Sequence, residues 1–382
     1  MRPWPLALLI GCKAAALPDS QAPPPDDSPV RDDSPADSPE HSDAPATLSL
    51  LTLNLHCFKL DGTGFSTNEE RFAAIAAAVA AEGVQALAVQ EACESEAEGV
   101  AMERLLRALD AATGAAWSGA WTPTHTAWAG TADEAQEGVG LLFSGSEPAD
   151  VRTLDYAVQG ALARRMLSAV YTEPSGETLR LATIHLEFED AGRRRSQARQ
   201  SAIAALLDAE PGWRGLLAGD FNAPAADPAL QDLLGAGFSR LSAGSDDGAN
   251  IDHVFAPSAA NFGVQESRLM FTGAAEPVVS DHPGVLLSLS FGPPDDALAT
   301  RFVATDDVGL GHFLALRGDT APLDWELGWP AVNTESSRWE AVFLGWDSGS
   351  IAYKWLLDDS GWETGEDHTL QAGQTGERSP SF

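Results

Sequence analysis

Two hydrophobic patterns alternate between residues 48 and 291, and they predict strands alternating with amphipathic helices. LSLLTLNLHC, from residue 48, is the first strand, and VQALAVQE is the second. Between them, NEERFAAIAAAVAAEG places Phe72, Ile75 and Val79 on one helical face and ends at Gly83. SQARQSAIAALLDAE is a later helix, and further strands are predicted at residues 140–143, 166–171, 179–186, 215–218, 251–255 and 285–289. The pattern indicates an α/β fold with many strands and few helices.

Short apolar runs separated by turn residues replace this pattern after Phe291. Residues 293–299 read as a linker, and residues 300–382 are predicted to form a small all-β sandwich. Six of the chain's eleven tryptophans fall in this segment. Because so small a core cannot hide all of them, we expect some to be exposed.

The amino terminus has the features of an export signal. A basic residue precedes a short apolar run, and the run ends in Leu9, Ile10, Gly11 and Cys12. This tetrad resembles the lipobox of bacterial lipoproteins, which implies a signal peptide over residues 1–11 and lipidation of Cys12. The run is too short to span a bilayer, so the protein is expected to reach the cell envelope through a lipid anchor only. The alternative is an ordinary secretory signal and a secreted protein.

The overall charge of the chain and the composition of residues 12–46 limit the classes of molecule that the protein is expected to bind. The segment is rich in Pro, Asp and Ser, a composition that predicts a disordered linker. The net charge is −33 and the pI is near 4.3. A basic footprint for duplex DNA is therefore not expected, although a nucleic acid remains an alternative substrate. An acidic chain that binds phosphate would need metal cations to do so.

Polar residues recur where the predicted strands of residues 47–292 end. Taken singly, each has a structural explanation: Asn54 is typical of a turn, Glu91 of a helix cap, and His185 of a core histidine. Gly219, before the carboxylate of the next strand, also suits a simple turn. The full set, in chain order, is Asn54, Glu91, His185, Asp220, Asn222, Asp252, Asp281 and His282.

The order of these motifs resembles the endonuclease, exonuclease and phosphatase superfamily, which includes deoxyribonucleases, abasic-site endonucleases, sphingomyelinases and inositol polyphosphate phosphatases. The motifs are Asn, Gln-Glu, His, Gly-Asp-Phe-Asn, Ile-Asp-His and Ser-Asp-His-Pro. The resemblance covers residues 48–291. It implies a four-layer α/β sandwich of two packed β-sheets, with the site where the strand ends converge.

Hydrolysis of a phosphoester assigns a task to each of these residues. A hard cation, Mg²⁺ with Mn²⁺ as the alternative, suits oxygen ligands from Asn54, Glu91 and Asp281. His282 is the expected general base, and the resemblance makes Asp252 its partner. Asp220 and Asn222 would orient water and phosphate, and His185 would donate to a phosphoryl oxygen. If Asn54 and Glu91 converge, Cys57 and Cys93 lie on the same rim and form a candidate disulfide.

The C-terminal segment resembles the family 20 carbohydrate-binding modules, the starch-binding domains. The resemblance rests on Leu323-Asp324-Trp325, Tyr353-Lys354 and Trp362-Glu363. It implies a glucan platform in which Trp325 and Trp362 stack on sugar rings and Lys354 contacts hydroxyls. The family's Gly-Asn is replaced by Asp324, so Trp329 is a further candidate for the platform.

Together these features predict an exported, Mg²⁺-dependent phosphoesterase, a phosphodiesterase or nuclease that is targeted to glucan. Its partners are then a phosphoester substrate and a starch-type polysaccharide. One alternative is a cell-surface carbohydrate-binding protein with an inactive hydrolase domain. The other is a phospholipase C-like enzyme or a sugar-phosphate phosphatase.

Overall fold

A computed structural model describes residues 8–11, 47–173, 176–210, 212, 214–245, 248–346 and 349–382. The predicted lipidation site Cys12 and the linker of residues 12–46 lie outside the described residues. No helix in the described ranges is both long and apolar enough to cross a membrane. Leu8–Gly11, from the predicted signal, pairs as an edge strand with residues 118–121.

The described residues of the first part of the chain form fourteen strands and four helices, and we call this part the α/β unit (residues 47–291 with the edge strand). The strands are β1 (Leu8–Gly11), β2 (Thr47–Asn54), β3 (Ala86–Ser95), β4 (Gly99–Val100), β5 (Trp117–Ala127), β6 (Ala135–Ser144), β7 (Ala149–Asp155), β8 (Arg165–Thr172), β9 (Thr178–His185), β10 (Gly215–Asp220), β11 (Phe238–Arg240), β12 (Asp252–Pro257), β13 (Phe262–Met270) and β14 (Gly284–Phe291). The helices are α1 (Asn68–Ala81), α2 (Ala101–Thr113), α3 (Ala191–Ala209) and α4 (Pro228–Gly235), with short 3₁₀ turns at Leu241–Ser245 and Ser258–Ala260.

The strands form two sheets that pack face to face. The first has the order β1-β5-β6-β3-β2-β14-β13 with β4 beside β3, and the second has the order β11-β12-β10-β9-β8-β7. A buried apolar cluster between them draws on both, for example through Leu50, Leu141 and Leu181. Helices α1 and α2 cover the outer face of the first sheet, and α3 and α4 cover that of the second. The predicted four-layer α/β sandwich is therefore confirmed.

Gln90 joins the two sheets beneath the strand ends. Its side chain is fully buried, and Nε2 donates to Thr52 Oγ1 at 3.3 Å in the first sheet. The same nitrogen donates to Thr183 Oγ1 at 3.0 Å in the second sheet. Since a buried amide needs such partners, this bridge fixes the register between β3 and β9.

The second part of the chain is entirely β, and we call it the C-terminal sandwich (residues 299–378). Its strands are β15 (Ala299–Thr305), β16 (Leu314–Gly318), β17 (Trp329–Pro330), β18 (Val332–Glu335), β19 (Arg338–Leu344), β20 (Ser350–Leu357), β21 (Gly361–Trp362), β22 (His368–Gln371) and β23 (Thr375–Arg378). One sheet has the order β18-β19-β15-β23, and the other has the order β17-β16-β20-β21 with β22 beside β20. Residues 292–298 form neither helix nor strand.

The tryptophans of the C-terminal sandwich divide into core and surface. Trp339, Trp346 and Trp355 are buried, whereas 44% of Trp362 is exposed. Trp329 was a candidate for the glucan platform, and the structure contradicts that prediction because none of its surface is exposed. Its ring packs edge-on against Phe343, and its Nε1 donates to Pro322 O at 3.1 Å. Trp329 is therefore a core residue.

The α/β unit and the C-terminal sandwich share a buried interface on α3 and α4. Gln200 Nε2 donates to Ala331 O at 3.2 Å, and Leu344 N donates to Ala236 O at 3.1 Å. Arg199 on α3 also serves this interface. Its Nη2 donates to Asp324 Oδ2 of the sandwich at 2.9 Å. Within the α/β unit, Arg199 Nε and Arg195 Nε both donate to Asp232 Oδ2 on α4 at 2.6 Å.

Candidate functional site

Strand register brings most of the predicted site residues to one rim of the two sheets. Asn54 is level with Gln90, next to Glu91, because β2 and β3 run parallel. Asp220 is level with His185 on β9 and with Asp252 on β12. The loop before β14, which carries Asp281 and His282, reaches the same end because β14 is antiparallel to β2.

Glu91 enters the site through an irregularity in its strand. The pairing of β3 with β6 shifts between Val89 and Ala92, and Glu91 has a left-handed φ of 47°. A bulge of this kind redirects a side chain. Its Oε1 accepts from Asn54 Nδ2 at 3.0 Å, and burial raises the pKa of Glu91 above its ordinary value.

Asn54, which the sequence predicts as an oxygen ligand, contacts the carboxylates of the site through its amide nitrogen. Its Nδ2 donates to Asp220 Oδ2 at 3.3 Å as well as to Glu91, and its Oδ1 accepts from His56 N at 2.8 Å. The amide therefore holds two carboxylates of opposite sheets together. A carbonyl oxygen has a second lone pair, so the hydrogen bond from His56 still leaves Oδ1 able to bind a cation.

His282 and Asp252 form the predicted pair. His282 Nδ1 lies 2.5 Å from Asp252 Oδ2, and the carboxylate is fully buried. The other ring nitrogen, Nε2, lies 3.7 Å from Asp220 Oδ2. Burial opposes the charged imidazole, but the bond to Asp252 and the nearby carboxylates outweigh it and raise the pKa of His282 above its ordinary value. The imidazole becomes a neutral base once that carboxylate charge is compensated.

His185 faces the carboxylate of Asp220 from the side opposite His282. Its Nε2 lies 3.5 Å from Asp220 Oδ2, and its Nδ1 lies 2.8 Å from Arg164 Nη1. Arginine can only donate, so Nδ1 is the acceptor and the ring hydrogen belongs on Nε2. This is the tautomer that can donate a hydrogen bond into the site.

Arg164 and Glu137 are site residues that the sequence analysis missed. Both are buried, and Arg164 Nη1 donates to Glu137 Oε1 at 3.0 Å. Although burial favours the protonated acid, contact with His185 and the charges of His125 and Arg164 lower the pKa of Glu137 to about 2. Each residue lies beside a strand end, Arg164 just before β8 and Glu137 near the start of β6. For Glu137, the position beside a strand end was an available signal.

His56 is a further missed residue, two positions after Asn54. Its Nδ1 lies 3.1 Å from Asp281 Oδ2 and 3.9 Å from Glu91 Oε2. The hydrogen bond to Asp281 raises the pKa of His56. Asp281 is half-exposed on this rim, and its carboxylate lies closer to the His56 imidazole than that of Glu91 does.

Asn222 has a left-handed φ of 50°, and its main chain turns back over the end of β10. Its backbone N donates to Asp220 Oδ1 at 2.7 Å, and its Nδ2 donates to Leu186 O at 2.9 Å. The Gly-Asp-Phe-Asn turn thus holds Asp220 in place and ties it to the segment after His185.

Arg71 of α1 supports the rim from below. Its side chain is fully buried, and its guanidinium donates to the carbonyl oxygens of Leu55, Cys57, Lys59 and Val279 at 2.6–3.4 Å. These carbonyls belong to the loop that carries His56 and to the loop that leads to Asp281. Cys57 and Cys93 are joined as a disulfide on this rim, with Cα atoms 4.9 Å apart.

The donor set fits a hard divalent cation. Among the residues that the structure describes, two groups place possible ligand atoms within 4.8 Å of one another: Cys57, Glu91 and Glu137, and Asp220, Asp252 and His282. The Cys57 sulfur is bonded to Cys93, which leaves carboxylates in the first group. Buried carboxylates at this density require positive charge, and oxygen ligands suit Mg²⁺. Glu91, through its carboxylate, and Asn54, through Oδ1, are residues that could hold such a cation.

A second candidate site lies on the C-terminal sandwich. Trp325 and Trp362 have ring centroids 6.1 Å apart, and with Lys354 and Asp367 they line an open cavity of about 350 Å³. Lys354 Nζ donates to Glu363 O at 3.2 Å and to Gly365 O at 2.7 Å, which fixes the ammonium beside the rings. Three of the predicted platform residues are therefore together, without Trp329.

The family model described as "Endonuclease/Exonuclease/phosphatase family" matches residues 51–282. Among solved structures, a protein of this family from Leptotrichia buccalis is 20% identical, with a TM-score of 0.51, 64% of this chain covered and 100% of the other. One from Beutenbergia cavernae is 17% identical, with a TM-score of 0.52 and coverages of 85% and 100%.

No match was found among curated proteins. The structural likeness, at these identities, supports the fold, and the family model spans more than half of the chain. The chain therefore belongs to the endonuclease/exonuclease/phosphatase family, whose members are metal-dependent phosphoester hydrolases.

Proposed function

We propose that the protein is a Mg²⁺-dependent phosphodiesterase. The observation that carries this proposal is the convergence of the Asp252–His282 pair, Asp220 and Glu91 on one rim. A cation held by Glu91 and Asn54 would neutralise phosphoryl oxygens. The same convergence argues against an inactive hydrolase domain, because the predicted acid, base and ligand residues are present together.

The residues of the chain divide the remaining work. His282 Nε2 takes the proton of the attacking water, and Asp252 orients the ring through Nδ1. Asp220 lies between the two imidazoles, within 3.7 Å of both, where it can orient that water. His185 donates from Nε2 to a phosphoryl oxygen as negative charge develops there.

The charge of the site favours a diester over a monoester. Glu91, Glu137, Asp220 and Asp252 lie in the site, and Arg164 is already paired with Glu137. A phosphodiester carries one negative charge, whereas a monoester carries up to two near neutral pH and meets stronger repulsion.

Hydrolysis of two chromogenic esters tests this proposal. With Mg²⁺ present, we expect bis(p-nitrophenyl) phosphate to be hydrolysed faster than p-nitrophenyl phosphate, and chelation by EDTA to stop the reaction. Preference for the monoester would favour a sugar-phosphate phosphatase, and no hydrolysis of either would favour a carbohydrate-binding protein. A panel of DNA, RNA, sphingomyelin, phosphoinositide and phosphorylated glucan then narrows the natural substrate.

We further propose that the C-terminal sandwich binds glucan and that the protein is exported with a lipid on Cys12. The exposed Trp362, paired with the half-buried Trp325 beside a fixed ammonium, supports the first part. The Leu-Ile-Gly-Cys tetrad and the Pro/Asp/Ser-rich segment support the second.

Trp362→Ala tests glucan binding, because it removes one face of the aromatic pair. We expect its affinity for amylose to fall at least about tenfold, a loss of about 1.4 kcal/mol. Trp128→Ala is the matched control, since Trp128 is 40% exposed but belongs to the α/β unit. Equal amylose affinities for the two variants would contradict a platform at Trp362.

A further inference from the structure

We propose that Arg199, on α3 of the α/β unit, is a positioning residue for the aromatic platform of the C-terminal sandwich. The inference rests on the proposed carbohydrate binding at that platform. It adds that the binding surface is completed by a side chain from the other unit of the chain.

The contacts of Arg199 converge on the segment that carries Trp325. Its guanidinium is fully buried, and Nη2 donates to Asp324 Oδ2 at 2.9 Å. Nη1 donates to the carbonyl oxygens of Leu327 and Gly328, the latter at 3.3 Å. Arg199 thus binds residues on both sides of Trp325, and a buried charge with this many acceptors fixes their positions.

The carboxylate of Asp324 also folds the segment that carries Trp325 into a turn. Asp324 Oδ1 accepts from Glu326 N at 2.8 Å and from Leu327 N at 2.7 Å, which forms a tight turn. Burial raises the proton affinity of Asp324, but these amides and Arg199 lower its pKa below the ordinary value. Asp324 is therefore ionised when it receives Arg199, and Trp325 is the next residue.

The opposite edge of the platform is held by a guanidinium of the sandwich itself. Arg317 Nη1 donates to Trp325 O at 3.0 Å, and its guanidinium lies 5.3 Å from the Trp362 ring centroid. Its Nε donates to Asp359 Oδ1 at 2.8 Å. Arg317 holds Trp325 against Trp362, and Arg199 fixes the turn from which Trp325 projects.

The competing explanation is that Arg199 only holds the two units together. Other contacts of the interface allow this docking role to be distinguished from positioning of the platform. Gly235 packs against Pro322, Gly237 packs against Leu344, and Leu344 N donates to Ala236 O. These contacts join the two units without Arg199. Arg195 also faces the sandwich, with its Nη2 3.7 Å from Asp324 Oδ2, while its two hydrogen bonds go to Asp232 of the α/β unit at 2.6 and 3.0 Å.

Arg199→Gln and Arg195→Gln in the full chain form the test, since both remove one interfacial charge. We expect Arg199→Gln to bind maltoheptaose at least about tenfold more weakly than the wild type, measured by titration calorimetry. Arg195→Gln should stay within about twofold, because its guanidinium lies 3.7 Å from Asp324 and makes no hydrogen bond to the turn. Equal losses in the two variants would overturn the proposal.

Near-ultraviolet circular dichroism supplies a readout that needs no ligand. The wild-type spectrum minus that of Trp362→Ala contains the signal of the Trp325–Trp362 pair. We expect this pair signal to be weaker in the spectrum of Arg199→Gln and unchanged in that of Arg195→Gln. If the wild type binds no maltoheptaose, glucan binding fails, but the spectra still decide the role of Arg199. An unchanged pair signal in Arg199→Gln would refute positioning.

Asp324→Asn covers the case in which Arg199→Gln fails to fold. The amide keeps Oδ1 as the acceptor of the turn and removes only the charge that faces Arg199, while Arg199 retains Asp232. We expect a smaller loss of the pair signal in the same direction. Retention of the full signal and of maltoheptaose affinity would contradict the proposal.

Discussion

Replacing His282 with alanine is expected to lower kcat for phosphodiester hydrolysis by about 10²- to 10⁴-fold, the usual contribution of a general base. The reason is geometric: His282 is bound through Nδ1 to a fully buried carboxylate, and Nε2 points toward Asp220. The measurement is kcat for bis(p-nitrophenyl) phosphate at saturating Mg²⁺, with Mg²⁺ affinity determined separately.

His312→Ala is a matched control for this experiment. His312 Nδ1 also bonds a carboxylate, Asp358 Oδ2 at 2.6 Å, but this pair lies in the C-terminal sandwich. Its loss should leave kcat within about twofold, because an exposed pair of this kind contributes little. If His282→Ala and His312→Ala hydrolyse the diester equally fast, His282 is not the base.

Glu91→Gln is expected to weaken Mg²⁺ binding by at least about 100-fold and to reduce hydrolysis at low Mg²⁺ accordingly. The substitution keeps the shape of the side chain but removes the charge that the bulge in β3 directs into the site. The measurement is the Mg²⁺ concentration for half-maximal activity, together with the Mg²⁺-dependent shift in melting temperature.

Glu94→Gln serves as the comparison, since Glu94 is exposed on the same strand three residues later. It should leave both quantities unchanged. Mg²⁺ affinity that is unaffected in Glu91→Gln would place the cation with the second group of acids, around Asp220 and Asp252.

Eight strands of the α/β unit and helices α1 and α3 were predictable from their apolar patterns, whereas the four-layer arrangement followed from the family resemblance. Among the longer strands, β5, β7 and β13 were not predicted. Two helices were not singled out. In α2 the apolar spacing of Met102, Leu105 and Leu109 and the left-handed Gly114 were available as signals. Helix α4 has only eight residues, so its Asp227 cap and Pro228 were the main local cues.

Glu137 aside, the acids of the site were predictable because a lone charge at the end of a buried strand is unusual. Arg164 was not, because a search for metal ligands and bases passes over a cation. The role of Arg164 in the site depends on its contacts with Glu137 and His185, which lie 27 and 21 residues away along the chain. Such a contact arises from strand pairing in three dimensions, and no local pattern contains it.

The tryptophans of the C-terminal sandwich also could not be assigned to core or surface from local sequence alone. Trp325 and Trp329 have similar local settings in the sequence, each preceded by a small or acidic residue. The structure separates them because β17 pairs with β16 and places Trp329 beneath the α/β unit, where its ring receives Arg199 at 5.0 Å. Burial of a tryptophan at an interface between two units depends on their docking.

The guanidinium of Arg71 makes the opening of the site rim a cooperative event. Four carbonyl groups from two separate loops depend on one buried side chain of α1. Neither loop can leave its position without stranding a buried charge, so local unfolding must involve both loops and the helix as one unit. Protection of their amides from hydrogen exchange should therefore follow the stability of α1, and the rim residues are held in place before any substrate arrives.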